Sequence, residues 1–264
     1  KNKGIDIFVD SLAKVESSSY EGRTVLGFVL VPAGINGYDK ELVAKLNGKE
    51  GDYTTHTSHN LQYPENDPVL CRMGALGLNN RTSRKVKLPS YLNGNDGVFN
   101  LPYYQLLSGL DLSVFPSYYE PWGYTPLESL AFKVPTVTTT LAGFGLWVNE
   151  YYTKEHPGIS VLERNESNYD EVVEGVSAKI LEMATLDEKG EKSYRSNAKS
   201  VSEIALWKNN LKFYREAYSL AIERVIERKG KFPEKINNKS MTYKKIEVGN
   251  PSWNRVLVTR NIPE

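Results

Sequence analysis

Apolar residues recur in two rhythms along this chain, and the way those rhythms alternate gives the fold class. Ile5, Phe8, Val9 and Leu12 stand at i, i+3, i+4 and i+7, the spacing of an amphipathic helix. Residues 24–31 (TVLGFVLV) form a nearly unbroken β-branched and apolar run, which predicts a strand buried on both faces. A helix is expected over 38–46, loops and short helices over the polar, glycine-dotted stretch 48–83, and a short strand over 86–88. A helix over 101–110, a strand over 112–115, a helix from Thr125, and strands over 134–140 and 158–162 then follow in turn. This alternation predicts an α/β chain built on a doubly wound parallel sheet.

Two long helices are expected next. One spans about 169–186, with Val172, Val176, Ile180 and Met183 on one face. The other spans about 207–226, with a stripe through Trp207, Leu211, Tyr214, Tyr218, Ile222 and Val225. From 228 the chain turns basic and poor in apolar residues. The reading is therefore one domain over 1–227 and an extended tail over 228–264.

The candidate chemistry lies where the 112–115 strand runs out. Residues 115–128 read FPSYYEPWGYTPLE, a loop broken by Pro116, Pro121 and Gly123 that opens directly onto a helix. Thr125 is placed to cap that helix, Pro126 to occupy its first turn, and Glu128 to close a capping box three residues on. A helix N-terminus offers unpaired N–H groups and partial positive charge, so the arrangement suits a phosphate, with Glu120 and Glu128 available to hydroxyl groups. Glu120 is either a ligand contact or a surface carboxylate, and Glu128 either a ligand contact or simply the cap. A second glycine loop, Ala142-Gly143-Phe144-Gly145, ends the next strand and reads either as a plain turn or as a second wall of the same crevice. Lys3-Gly4, ahead of the first helix, is a third phosphate candidate.

Charge and cysteine count narrow the class. Lys and Arg total 33 against 32 Asp and Glu, a net charge of +1, so no global field draws in nucleic acid or an anionic membrane. No apolar run approaches the roughly 20 residues of a membrane span. Cys71 is the single cysteine, which excludes an intrachain disulfide and fits a reducing cytoplasm. His56, His59 and His156 show no metal-ligand spacing, and no Asp-x-Asp strand end is present, so no metal is expected. A departing diphosphate would then be neutralised by lysine and a helix N-terminus.

These motifs resemble the glycogen synthases of the fungal and animal type, which are retaining glucosyltransferases using UDP-glucose. The likeness is close over 115–145 (FPSYYEPWGYTPLESLAFKVPTVTTTLAGFG). It is looser at Asn2-Lys3-Gly4-Ile5-Asp6, Ser58-His59-Asn60-Leu61 and Pro89-Ser90-Tyr91-Leu92-Asn93. The resemblance implies the C-terminal, donor-binding half of a glycosyltransferase-B fold, with a Rossmann-like sheet. An N-terminal acceptor domain and an arginine partner of Lys3 would lie upstream of residue 1. It also implies roles. Lys3 and Glu120 would serve catalysis, Lys3 at the donor phosphates and Glu120 against the glucose. Trp122, Gly123, Tyr124 and Thr125 would line the diphosphate, with Tyr124 and Tyr103 candidates to stack on uracil, and Glu128 would bind the ribose. The implied partners are UDP-glucose, glycogen or another α-glucan, and the missing N-terminal domain. Neither nucleic acid nor a membrane is expected, and a homo-oligomer is allowed.

One departure stands out. Eukaryotic members carry an arginine cluster on a late helix that reads glucose 6-phosphate, whereas 189–209 here offers only scattered Lys189, Lys192, Arg195, Lys199 and Lys208. The expectation is a bacterial member without that control. The alternatives are another retaining glycosyltransferase, or a non-catalytic module that binds a nucleotide sugar or glucan. A glycoside hydrolase using Glu120 and Glu128 as its acid and nucleophile is disfavoured, because such pairs face one bond about 5 to 9 Å apart. Here one glutamate is on a loop and the other is in a helical turn.

Overall fold

The structure is a computed structural model that describes residues 2–50, 56–78, 85–88, 92, 94–152 and 158–228. The chain divides into two compact units, Lys1–Asn209 and Asn210–Glu264. The expected tail beyond 228 lies outside the described residues, as do Pro89, Ser90, Tyr91 and Asn93 of the looser motif.

The first unit is α/β with parallel strands and helices on both faces. It opens with α1 (Ile5–Ser17), then β1 (Gly27–Leu30), β2 (Ile35–Tyr38), α2 (Lys40–Leu46), β3 (His59–Leu61), a 3₁₀ turn (Pro64–Asn66), α3 (Pro68–Ala75) and β4 (Lys85–Leu88). There follow α4 (Tyr103–Ser108), β5 (Ser113–Val114), α5 (Tyr124–Ala131), β6 (Thr136–Thr139), α6 (Gly143–Tyr151), β7 (Ile159–Leu162), α7 (Tyr169–Thr185) and α8 (Glu188–Ile204). Strands β5, β6 and β7 form one parallel sheet in that order, with Val114 beside Val137 and Val137 beside Ser160. Strands β1 and β4 pair in parallel, Gly27 opposite Lys85, while β2 and β3 form an antiparallel ribbon.

Two cores make the β5–β7 sheet doubly wound. On one face α1 and α7 pack Ile7, Leu12, Val15, Val172, Val176 and Ile180 against Val137. On the other, α5, α6 and α8 pack Leu130, Phe144, Val148, Ala198 and Val201 against Ile159. β6 is buried along its whole length, as a central parallel strand must be. The parallel strand order brings the loops after β5 and β6 to one end of the sheet, beside the start of α1.

Several expectations are corrected here. The 24–31 run yields a strand over four residues only, and just Gly27 and Val29 of it are buried. Phe28 and Leu30 are half-buried because β1 and β5 both line an open cavity instead of pairing with each other. The ribbon of β2 and β3 was not anticipated, and neither was α8. That helix is strongly polar and buries only Ala198, Val201 and Ser202; its N-terminus is marked by Asp187, whose side chain accepts from the Gly190 N–H (2.7 Å).

The helix after the loop also begins differently. α5 starts at Tyr124, with Gly123 at φ +102° as its entry residue and no side chain capping it. Thr125 is therefore the second helical residue and not the cap. Glu128 falls five residues after Gly123, so the expected capping box does not form. Gly123 wins the entry position because its backbone adopts a left-handed geometry that a threonine would resist.

Candidate functional site

The loop between β5 and α5 is held mainly by backbone bonds. The Glu120 N–H donates to the Leu141 carbonyl (3.1 Å), the Gly143 N–H to the Glu120 carbonyl (3.0 Å), and the Phe144 N–H to the Trp122 carbonyl (2.7 Å). Glu120 and Ala142 thereby continue the sheet as an isolated parallel bridge. The Gly143 loop thus braces the Glu120 loop and opens α6, while none of residues 142–145 lines the cavity between β1 and β5. Its glycine is required by contact, since a Cβ at 143 would land on the Pro121 carbonyl.

The start of the chain is sewn to the same loop. The Tyr118 N–H donates to the Asn2 carbonyl (2.9 Å), and Gly4 (φ +68°) packs so closely on Pro116 that a Cβ would meet its carbonyl oxygen. This turn brings the Lys3 ammonium onto the Glu120 carboxylate as an ion pair. Lys3 is 63% exposed and Glu120 26%, so water reaches the pair and screens it. The Asn2 bond thus ties down the turn that carries Lys3.

Lys3, Tyr103, Glu120, Tyr124 and Thr125 all line one cavity of about 940 Å³, which runs between β1 and β5. The α5 N-terminus opens toward it. Pro126 has no N–H, and helix geometry leaves the N–H groups of Tyr124 and Thr125 without intrahelical acceptors. Tyr124 is largely exposed, whereas burial, followed by the charge of Glu128, raises the Tyr103 phenol above its usual range.

Glu128 is fixed by a different means. Its Oε1 accepts from the Tyr104 hydroxyl (2.9 Å), and the Tyr104 ring lies parallel to Phe132 at 5.0 Å. That bond raises the Tyr104 phenol, so it stays a donor through the neutral range. Sequence reading missed Tyr104; the adjacent pair Tyr103-Tyr104 on a short helix was the available signal, and their rings sit 5.2 Å apart.

Trp122 and Gly123 serve the loop and do not line the cavity. The Trp122 ring packs edge-on to Phe144 at 5.7 Å and beside Trp147, partly buried against the second core. Farther back, His59 is buried, with Nδ1 2.8 Å from the Ser58 hydroxyl and Nε2 2.7 Å from the Asp96 carbonyl. Asp96 in turn accepts from the N–H groups of Val98, Phe99 and Asn100, which braces the turn leading into α4. The Ser58-His59 motif therefore supports the site from behind. Of the late cationic residues, Arg195 is committed to Glu191, Asp111 and the Leu110 and Lys133 carbonyls, and Lys192 to Glu188.

Among the described residues no three His, Cys, Asp or Glu side chains gather as a ligand set for a metal ion. No helix among them is long and apolar enough to cross a membrane.

A phosphate-suited helix end, a lysine and the Glu120 carboxylate thus share one cavity, while Glu128, on the same helix, does not line it. The glycogen synthase isoforms 1 and 2 of Saccharomyces cerevisiae are 27% and 30% identical to this chain, each alignment covering 85% of it and 41% or 42% of the yeast protein. The liver glycogen synthase of Homo sapiens is 27% identical over 89% of this chain and 41% of its own length. The chain thus spans about two fifths of the curated relatives it matches. Among solved structures, WaaG, a glycosyltransferase involved in lipopolysaccharide biosynthesis, aligns with a TM-score of 0.42 and 17% identity over 76% of this chain and 40% of that one, a distant likeness that adds nothing to the assignment. The glycogen synthase family model matches residues 40–259, a span that takes in Glu120, Glu128, Tyr103 and both loops, and the chain belongs to that family.

Proposed function

We propose that this chain is the donor-binding half of a glycogen synthase, a Rossmann-like half of a glycosyltransferase-B fold whose acceptor-binding domain is a separate part of the protein. The full enzyme transfers glucose from UDP-glucose to the non-reducing end of an α-1,4-glucan, with retention at the anomeric carbon, in a cytoplasmic setting. The observation that carries the reading is the convergence of Lys3, Glu120 and the uncapped α5 N-terminus on one cavity.

In this reading the diphosphate sits at the Tyr124 and Thr125 N–H groups, where the helix end favours negative charge. Lys3 leaves Glu120 for the phosphate as the donor arrives; the exchange costs little because the pair is solvated. Glu120, freed of its lysine, faces the glucose and stabilises positive charge that builds as the glycosidic bond to UDP lengthens. Lys3 and the helix end stabilise the negative charge accumulating on the leaving diphosphate, which removes the need for a metal. Tyr103, with Tyr124, takes the uracil ring, and Glu128 the ribose hydroxyls. Release of Glu128 from the expected capping box supports this last role, since its second oxygen is left for a ligand.

The test uses the longer protein that contains this chain. UDP release from UDP-glucose in the presence of glycogen, several-fold faster than from ADP-glucose, is the expected result. No glucan-dependent UDP release, or preference for another sugar nucleotide, would count against the proposal.

A further inference from the structure

Tyr118 lies two residues before Glu120 and touches three separate parts of the fold. Its N–H holds the Asn2 carbonyl at 2.9 Å, and its hydroxyl donates to Asp6 Oδ2 at 3.0 Å. The Arg164 guanidinium lies 4.0 Å from the centre of its ring. Asp6 sits in the first turn of α1, one turn beyond Lys3, and Arg164 follows β7 and is only 4% exposed. Tyr118 therefore grips the lysine-bearing turn from both sides, by its backbone before Lys3 and by its hydroxyl after it. The neighbouring pair Tyr169–Asp10 repeats the grip one helical turn further on (2.9 Å), with Asp10 also held by Arg72.

We propose that Tyr118 is a positioning residue that sets the Lys3 ammonium at the Glu120 carboxylate and the donor phosphates. The proposal rests on the donor-site reading above. Lys3 is a long, mostly exposed side chain that loses much rotamer freedom when it engages a phosphate. Fixing its backbone on both sides lowers that loss before the ligand arrives, which is preorganisation. If Tyr118 were only a packed aromatic, its hydroxyl would matter equally whether or not Lys3 were present.

That difference gives the experiment. On the 264-residue chain, Tyr118→Phe keeps the ring beneath Arg164 and removes the bond to Asp6; Asp6→Asn weakens the same bond from the other end. Hydrogen exchange at the Tyr118 amide is expected to accelerate about tenfold in both variants, with the amides of α7 unchanged. UDP, titrated by NMR, is expected to bind about threefold more weakly to each. Lys3→Met should lose about tenfold, and adding Tyr118→Phe to it should cost nothing more. An equal threefold loss with and without Lys3, or unchanged exchange at the Tyr118 amide, would overturn the proposal. Absence of UDP binding by the parent chain would instead overturn the donor-site reading, and the exchange rates would still decide whether the hydroxyl holds the turn.

Discussion

Glu120 and Glu128 are eight residues apart and are held by opposite means. Glu120 is placed by main chain: its own N–H and carbonyl bridge to Leu141 and Gly143, and the loop on either side is locked by Trp122 and Tyr118. Glu128 rides on a helix, and its carboxylate is aimed by a single phenol, Tyr104, on a neighbouring element. The lesson concerns tolerance. A site held by backbone fails when a Cβ is added in the wrong place, whereas a site held by side chains degrades in small steps.

The largest effect is therefore expected at a residue with no side chain. Gly143→Ala forces a Cβ onto the Pro121 carbonyl, so the Glu120 loop must move. A loss of about 2 kcal/mol or more in urea unfolding is expected, with UDP binding weakened beyond about thirtyfold. A Gly143→Ala chain that keeps both stability and affinity would show that the backbone bridge does not set the site.

Glu120→Gln separates placement from chemistry. Because the Lys3 pair is solvated, stability should change by less than about 0.5 kcal/mol. Affinity for UDP should hold or rise slightly, since Lys3 loses its competitor, while any advantage of UDP-glucose over UDP disappears. A strong loss of UDP affinity would place Glu120 at the phosphates and not at the sugar.

Tyr104→Phe should act more gently. It removes the 2.9 Å bond to Glu128 but keeps the stack on Phe132. A two- to threefold loss for UDP is expected. A smaller loss is expected for 2′-deoxy-UDP, which keeps only the 3′-hydroxyl for Glu128. Equal losses for both ligands would break the assignment of Glu128 to the ribose.

Alkaline pH gives the smallest and most distributed effect. Tyr103 and Tyr118 are raised chiefly by burial, and Tyr169 by burial with help from Asp10. The folded chain holds these protons at a pH where the unfolded chain has released them, so their stabilising contribution is complete below about pH 10 and declines above it. Stability should thus be level from about pH 8 to 10 and fall beyond, with Tyr169→Phe flattening part of the fall.

How legible all this was depends on what holds each part. The strand and helix alternation from residue 101 to 185 could be read because its apolar rhythm is strong: Val137 and Leu130 are each nearly or fully buried by regular elements on the two faces of one sheet. The α5 start was misread by two residues because Thr-Pro is a good local entry signal, yet Gly123 already supplies the turn. The β2–β3 ribbon was missed because its strands are short and its Ile35 and Tyr38 are not buried. That Lys3, Glu120 and Tyr103 line one cavity was foreshadowed by the loop and Lys-Gly motifs for the first two and by the family resemblance for Tyr103. Tyr104 and Tyr118 were not, because their roles depend on partners 24 and 112 residues away along the chain.

The central claim is that the α5 N-terminus and Lys3 form a site for a nucleoside diphosphate. NMR titration of the ¹⁵N-labelled chain with UDP addresses it most directly. Saturable shifts at the Gly123, Tyr124 and Thr125 amides, with a dissociation constant in the millimolar range, are the expected result; they should weaken about tenfold in Lys3→Met. No shift at those amides up to about 10 mM UDP, or shifts confined to the α7 and α8 faces, would contradict the account.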